Sequence, residues 1–316
     1  MNFRTKIPLA RQSHDQISYE SGLLLLGSCF AENIGSKLEY FKFQNSINPF
    51  GILFHPIAVE KLILKAINQE NFTDEDIFPL NERWHCFNAH SSLSANSKDE
   101  LLESLNKALD LLNQQLNNST HIIITLGTTW VYRYIETDSI VANCHKVPQK
   151  KFIKELLSVE DTVESLDSIV SLIKSVNPNA SIVFTVSPVR HLKDGFVENN
   201  RSKSHLLSAI HQVVEPRRRL YYFPSYEIMM DELRDYRFYE DDMIHPNALA
   251  IDYIWDCFKE VWISEQSLST MDEVETVQKG LSHKPFNPES EQHQKFLANL
   301  EERKAILQSE VPHILF

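Results

Sequence analysis

Short apolar runs alternate with longer amphipathic segments along most of this chain. The strand-like runs are residues 23–26, 121–126, 180–186 and 219–223. The run at 121–126 is continuous and β-branched, which is typical of a parallel strand buried on both faces. The segments in which apolar residues recur every three or four positions, and which therefore predict helices, are 30–40, 57–69, 99–117, 149–176, 200–216 and 246–262. This alternation predicts a three-layer α/β/α, flavodoxin-like fold around a parallel sheet.

Less regular stretches interrupt the alternation. Residues 70–97 are predicted to form an inserted hairpin, and residues 130–134 and 139–143 a second one. A short strand is predicted at 41–44. Beyond a polar linker at 264–270, charged helices are predicted at 271–280 and 287–309. We therefore predict an α/β domain over residues 1–263 and a helical C-terminal extension over 264–316, which packs on the domain or on another subunit of an oligomer.

Composition narrows the functional classes. The chain has 316 residues and a formal net charge of -12, which argues against a general nucleic-acid binder and against binding to anionic membrane surfaces. No segment reaches the roughly 18 apolar residues of a membrane span, so a cytoplasmic protein is predicted. The four cysteines are widely spaced and form no CxxC pair, which favours free thiols over disulfides or a zinc site.

Ser28 stands between the first strand and the first predicted helix, directly after Gly27. A serine in this position commonly caps the helix, because its oxygen accepts a hydrogen bond from a free backbone N–H. It is also a suitable position for a nucleophile, since the helix N-terminus stabilises negative charge. The local pattern leaves both interpretations open.

Two motifs carry a resemblance to a known family. Residues 27–31 read Gly-Ser-Cys-Phe-Ala, the signature of the GSCFA family, which resembles a branch of the SGNH (GDSL-type) hydrolases. Residues 242–245 carry the Asp-x-x-His spacing that these enzymes place near the end of the domain. The resemblance implies an ester hydrolase without a cofactor, in which Ser28 is the nucleophile, His245 the general base and Asp242 its orienting group. Asp241 could replace Asp242, and Cys29 is a rival nucleophile.

The resemblance also implies donors for the oxyanion. They are the backbone N–H groups of Ser28 and Gly51 and, in a third block that usually reads Gly-x-Asn-Asp, an asparagine. Here the third block reads Gly-Thr-Thr-Trp over residues 127–130, so the asparagine is absent. Thr129 would then donate through its hydroxyl, or Asn48 or Asn143 would replace it.

Several further residues are candidates for binding the substrate. Arg190, which follows the predicted strand at 180–186, could bind a carboxylate or a phosphate. His145 and its neighbours either line the site or form an outward-facing part of a hairpin. The full set of predicted substrate-binding residues is Asn48, Gly127, Trp130, Asn143, His145 and Arg190. No metal site is predicted, because the remaining candidates lack ligand spacing; these are His55, His85, His90 and His145.

The sequence therefore predicts a serine esterase that acts on an acylated carbohydrate or a similar small ester. An O-acyltransferase would use the same acyl-serine intermediate. A catalytically silent domain that binds a glycan or a protein is the alternative from another class. The missing third-block asparagine favours this last alternative, because an oxyanion donor typically contributes about 10²–10³ in turnover.

Overall fold

The computed structural model describes residues 5–316 and contains ten strands and nine α-helices within that range. The strands are β1 (Leu23–Gly27), β2 (Asn45–Ile47), β3 (Ile77–Leu80), β4 (Arg83–Cys86), β5 (His121–Leu126), β6 (Trp130–Tyr134), β7 (Ser139–Val141), β8 (Phe152–Leu156), β9 (Ser181–Val186) and β10 (Leu220–Tyr222). The helices are α1 (Cys29–Tyr40), α2 (Pro56–Ile67), α3 (Lys98–Asn118), α4 (Val159–Val176), α5 (Phe196–Val213), the single turn α6 (Ser225–Glu227), α7 (Ala248–Trp262), α8 (Glu265–Ser282) and α9 (Glu291–Glu310).

A parallel sheet of five strands, in the order β10-β9-β5-β1-β2, forms the centre of the molecule. Alternate side chains of each strand enter different cores. Leu24 and Leu26 of β1 pack with α2, α3, α4 and α5, whereas Leu23 and Leu25 pack with α1, α7, α8 and α9. The predicted three-layer α/β/α fold is confirmed.

The register of the sheet brings three strand ends together. Gly27 of β1 is paired with Thr125 of β5, which is paired with Thr185 of β9. The segments that follow these strands, beginning at Ser28, Gly127 and Ser187, therefore start side by side at the carboxyl edge of the sheet. Ligands of open α/β sheets bind at this edge.

Both predicted hairpins are present, but the second belongs to a larger sheet. β3 pairs with β4, and β6 pairs with β7, in antiparallel fashion. β8 also pairs with β6, so the prediction of a helix from residue 149 is wrong over its first part. Helix α4 begins only at Val159, because Ser158 and Asp161 form a capping box there.

Two other predicted boundaries are wrong. The second strand lies at 45–47 and not at 41–44, since α1 continues to Tyr40 and the chain turns at Lys42. The predicted polar linker at 264–270 is the start of α8, whose apolar positions Met271, Val274 and Val277 are buried. These positions belong to the apolar layer on the second face of the sheet, to which α1, α7 and α9 also contribute. The boundary at residue 263 remains a prediction.

No helix within residues 5–316 has the length and apolar character that crossing a membrane requires.

Gly27 is expected to tolerate no side chain. Its φ is +127°, and an added Cβ would overlap the Thr125 carbonyl oxygen in the neighbouring strand. Gly27→Ala should therefore lower the free energy of unfolding by about 3 kcal/mol or more, measured by urea denaturation.

Gly22, just before the same strand, is the matched control. An added Cβ there lies 3.7 Å from its nearest neighbour, so Gly22→Ala should change stability by less than about 1 kcal/mol. Equal effects of the two substitutions would contradict this account.

Candidate active site

Ser28 is the N-cap of α1 and is completely buried, with 0% of its surface exposed. Its Oγ accepts a hydrogen bond from the Phe30 N–H at 3.3 Å. Its own backbone N–H donates to the Thr125 carbonyl at 3.0 Å. Accepting a capping bond leaves the hydroxyl proton available, so the capping role does not exclude a role as nucleophile.

Asp242 and His245 form a hydrogen-bonded pair in a tight turn. Asp242 Oδ2 lies 2.7 Å from His245 Nδ1, and Oδ1 accepts the backbone N–H groups of Ile244 and His245 at 2.8 and 3.0 Å. The bonds from the His245 backbone, the His245 ring and the Ile244 backbone, in that order, lower the pKa of Asp242 to about 2. Asp242 is thus ionised near neutral pH. Among residues 5–316 it is the carboxylate bonded to His245; Asp241 makes no such bond.

Arg190 attaches this turn to the carboxyl edge of the sheet. Its backbone N–H donates to the Ile244 carbonyl and its Nη1 to the Met243 carbonyl, both at 3.2 Å. Arg190 itself lies three residues after Ser187, at the end of β9. The Asp242–His245 pair and Ser28 therefore belong to the same edge, although within the described chain no hydrogen bond joins Ser28 to His245. The His245 side chain is 46% exposed, whereas Ser28 is buried.

Most of the expected oxyanion donors are already used. The Gly51 N–H donates to the Asn48 carbonyl at 2.7 Å, and the Ser28 N–H is bonded within the sheet. The Thr129 hydroxyl lies 3.2 Å from Ser202 Oγ on α5, and the Thr129 backbone N–H donates to the same oxygen. Thr129 thus joins β5 to α5.

Asn48 is different. Its Oδ1 accepts the Gly27 N–H at 2.8 Å, which fixes the amide directly before Ser28. Its Nδ2 is buried and has no hydrogen-bond partner within residues 5–316. A buried amide nitrogen without a partner is costly, and it can donate to an oxygen that arrives with a ligand.

His191 also lies at this edge, although no motif in the sequence indicates it. Its ring packs edge-on against Phe54, and its Nε2 is buried without a partner in the described structure. A Cβ on Gly127 would lie 2.7 Å from this Nε2, so glycine at 127 makes room for the ring. The pKa of His191 is lowered to about 3, mainly by burial and to a lesser extent by the nearby charges of Lys203 and His245. The imidazole is therefore neutral.

Lys203 of α5 is a second residue at this edge that was not among the predicted site residues. Only 1% of its surface is exposed, and its Nζ donates to the Ser187 carbonyl at 2.6 Å. Burial lowers the pKa of Lys203 to about 7. Its spacing from Leu206 and Ile210 puts a lysine on the apolar face of a helix. This spacing is the feature of the sequence that could have indicated a buried lysine.

The sequence model of the GSCFA family matches residues 22–258, which is most of the chain and includes both motifs. The chain belongs to the GSCFA family. A second model, the C-terminal domain of GSCFA domain proteins, matches residues 274–316. No curated protein matches the chain.

In this GSCFA protein, Asn143 and His145 contact the inserted hairpin. Asn143 Oδ1 accepts the His145 N–H at 2.9 Å, and His145 Nε2 lies 2.6 Å from the Cys86 carbonyl oxygen. The His145 ring packs near Phe78 and His85. Burial is the main cause that lowers the pKa of His145 to about 4. These contacts attach the loop after β7 to the β3–β4 hairpin, and a role of the loop in binding substrate remains a prediction.

Trp130 lies beside the first turn of α5. Its Nε1 donates to the Glu198 carbonyl at 3.1 Å, and Lys154 Nζ lies 4.4 Å from the centre of its ring. The first contact holds the three-stranded sheet against α5, and the second lies within that sheet, between β8 and β6.

The other candidates of the GSCFA protein have structural partners. His55 caps α2, and His90 caps the short turn that follows β4. Across residues 5–316, no group of three or more His, Cys, Asp or Glu side chains could hold a metal ion. Burial is the main cause that raises the pKa of the Cys29 thiol, which makes it a poorer nucleophile at neutral pH.

Acid titration is expected to identify the bonds that hold Asp242. In carboxyl ¹³C NMR, the titration midpoint of the Asp242 side chain should be about 2. Because this pKa lies below the unfolded value, the carboxylate stabilises the fold above about pH 4, and the contribution disappears as pH falls toward 2. In His245→Ala the midpoint should rise but stay below the ordinary aspartate value, since two backbone N–H donors remain. Asp235, whose pKa is lowered by Arg237, serves as the control and should not move. An ordinary midpoint for Asp242 in the unmodified protein would contradict the geometry.

Proposed function

We propose that this protein is a serine ester hydrolase, with Ser28 as nucleophile, His245 as general base and Asp242 as its orienting group. The 2.7 Å bond between Asp242 and His245, at the edge of the sheet where Ser28 begins a helix, carries the proposal. A carboxylate bonded to Nδ1 fixes the tautomer of the imidazole and leaves Nε2 to accept a proton. The order of the three residues along the chain agrees with the SGNH resemblance.

In the proposed reaction, Ser28 Oγ attacks the carbonyl carbon of the ester while His245 takes the hydroxyl proton. The tetrahedral intermediate collapses, and His245 returns that proton to the departing alcohol. Water then attacks the acyl-serine with His245 again as base, which releases the acid and restores Ser28. The N-terminus of α1 favours negative charge at Ser28. Ser28 and His245 must approach each other when the substrate binds, as is common for catalytic hydrogen bonds that are long in free enzymes.

Two buried nitrogens are our proposed donors for the oxyanion. They are Asn48 Nδ2 and His191 Nε2, which both lack partners within the described chain and lie beside Gly27 and Gly127, respectively. A neutral imidazole can donate from Nε2 without carrying a charge, and the lowered pKa of His191 supports this form. In this proposal the two groups replace the absent third-block asparagine.

The substrate in this proposal is an acylated carbohydrate or a similar small ester. The tyrosines near the Asp242 turn offer aromatic faces, and 61% of Tyr236 is exposed. An O-acyltransferase would differ only in the acceptor of the second step. A silent binding domain is the second candidate, and the complete burial of Ser28 is the observation that favours it.

A fluorophosphonate probe should label Ser28, as mapped by peptide mass spectrometry. His245→Ala should abolish the labelling, and Asp242→Asn should slow it by about 10³-fold, because the imidazole loses its orienting carboxylate. Asp241→Asn removes the adjacent carboxylate, which has no bond to His245, and is the matched control with an unchanged rate. Label at Cys29 alone would reject Ser28 in favour of the rival nucleophile, and no label on folded protein would support the silent domain.

Removing a proposed oxyanion donor should reduce turnover more than binding. His191→Phe keeps an aromatic ring against Phe54 but removes the N–H. It should lower kcat/KM for p-nitrophenyl acetate by about 10²–10³-fold. His211→Phe is the control, since His211 is an exposed residue that packs on Tyr222 at the far end of α5 and should leave the rate unchanged. Equal rates for the His191 variant and the unmodified enzyme would remove His191 from the mechanism.

A further inference from the structure

A cavity of about 570 Å³ lies between α5 and the segment 226–239. Its lining includes Arg190 and Lys203 together with the rings of Tyr226, Tyr236 and Tyr239. Arg190 Cζ lies 4.1 Å from the centre of the Tyr239 ring, and Lys203 Nζ lies 5.7 Å from that of Tyr226. The cavity thus combines aromatic walls with the permanent positive charge of Arg190 and the ammonium group that Lys203 carries when it is protonated.

The positive charges of Arg190 and Lys203 have no carboxylate partner in the described part of the chain. The two aspartates that line the same cavity are otherwise occupied. Asp235 pairs with Arg237 at 2.9 Å, and Asp231 lies 3.9 Å from Arg234. The cavity therefore has an excess of positive charge at the end nearest to Ser187.

Lys203 is the less expected of the two cations. Its ammonium group has three N–H donors, and within the described structure one bond is made, to the Ser187 carbonyl. A buried ammonium without a counter-ion is unfavourable, and methionine or leucine would fill the same space on this helix face. An anion that enters with a ligand would supply the missing charge and accept the free N–H groups.

Arg190 connects the cavity to the proposed catalytic turn. Its Nη1 and backbone N–H hold the carbonyl groups of Met243 and Ile244, within the turn that carries Asp242 and His245. A guanidinium has five N–H donors, so Arg190 can hold the turn and still bind an oxyanion. An anion in the cavity would therefore lie one side chain away from the base.

We propose that this cavity binds an oxyanion, a carboxylate or a phosphate, on the substrate, through Lys203 and Arg190. The substrate class is then an ester that carries an acidic group, such as the acyl ester of an acidic or phosphorylated sugar. This assignment of the substrate rests on the proposed esterase function. The binding of the anion itself does not, because the cavity residues are separate from Ser28, Asp242 and His245.

Calorimetric titration with inorganic phosphate and, separately, with D-glucuronate tests the cavity without any reaction. We expect millimolar or tighter binding of at least one probe, with equal affinity in Ser28→Ala. Lys203→Met should weaken that binding at least tenfold, since a charge-assisted hydrogen bond is lost. Arg190→Gln is an independent variant with the same expected loss. Arg234→Gln is the matched control, because Arg234 lines the same cavity but pairs with Asp231, and its affinity should stay within twofold.

Each outcome decides the proposal. Binding of phosphate alone assigns a phosphorylated substrate, and binding of glucuronate alone assigns a carboxylate. Binding of neither probe at about 50 mM, or full affinity in both Lys203→Met and Arg190→Gln, overturns the anion site. Anion binding with no labelling at Ser28 would keep the site and reject the esterase function. Labelling at Ser28 without anion binding would keep the esterase function and reject the anion site.

Discussion

Parallel pairing of β1, β5 and β9 is the constraint on which the rest of the structure depends. Because the three strands run the same way in a shared register, their carboxyl ends must meet at one edge. The side chains at this edge are then determined by the path that each segment takes after its strand ends. β1 turns directly into a helix at Ser28, β5 turns past Gly127, and β9 continues into the loop that carries Arg190 and His191.

The hydrogen bonds at this edge separate structural groups from available ones. Thr129 is bonded to α5, and the Gly51 N–H closes its own turn, so both stabilise the scaffold. Asn48 and His191 each retain one buried nitrogen without a partner within residues 5–316. A folded protein rarely leaves such groups unpaired, because the loss of hydration is not compensated. Their position beside Ser28 and Gly127 is the reason to regard them as prepared for a ligand.

The sequence was sufficient for the features that depend on local pattern. The continuous apolar run at 121–126 predicted a central strand. The Asp-x-x-His spacing favoured Asp242 over Asp241, and in the structure it is Asp242 that bonds to His245. The strand β8 could not be predicted in this way, because two of its five residues are exposed and its pairing partner β6 lies about twenty residues earlier in the chain. His191 and Lys203 were missed for a related reason: both reach the edge through a loop and a helix whose placement is non-local. Their chemical environment does not exist until the chain has folded.

The position of the C-terminal helices has a consequence for the order of folding. Val277, Leu300 and Ile314 are buried in the same apolar layer as Leu23 and Leu25 of the first strand, and His313 bonds to the Lys42 carbonyl. The bond between His313 and Lys42 alone spans 271 residues of the chain. During synthesis from the N-terminus, part of this apolar layer therefore stays uncovered until the last helix has left the ribosome. Such a face is exposed to aggregation in the meantime, which makes this protein a candidate for chaperone dependence during its production.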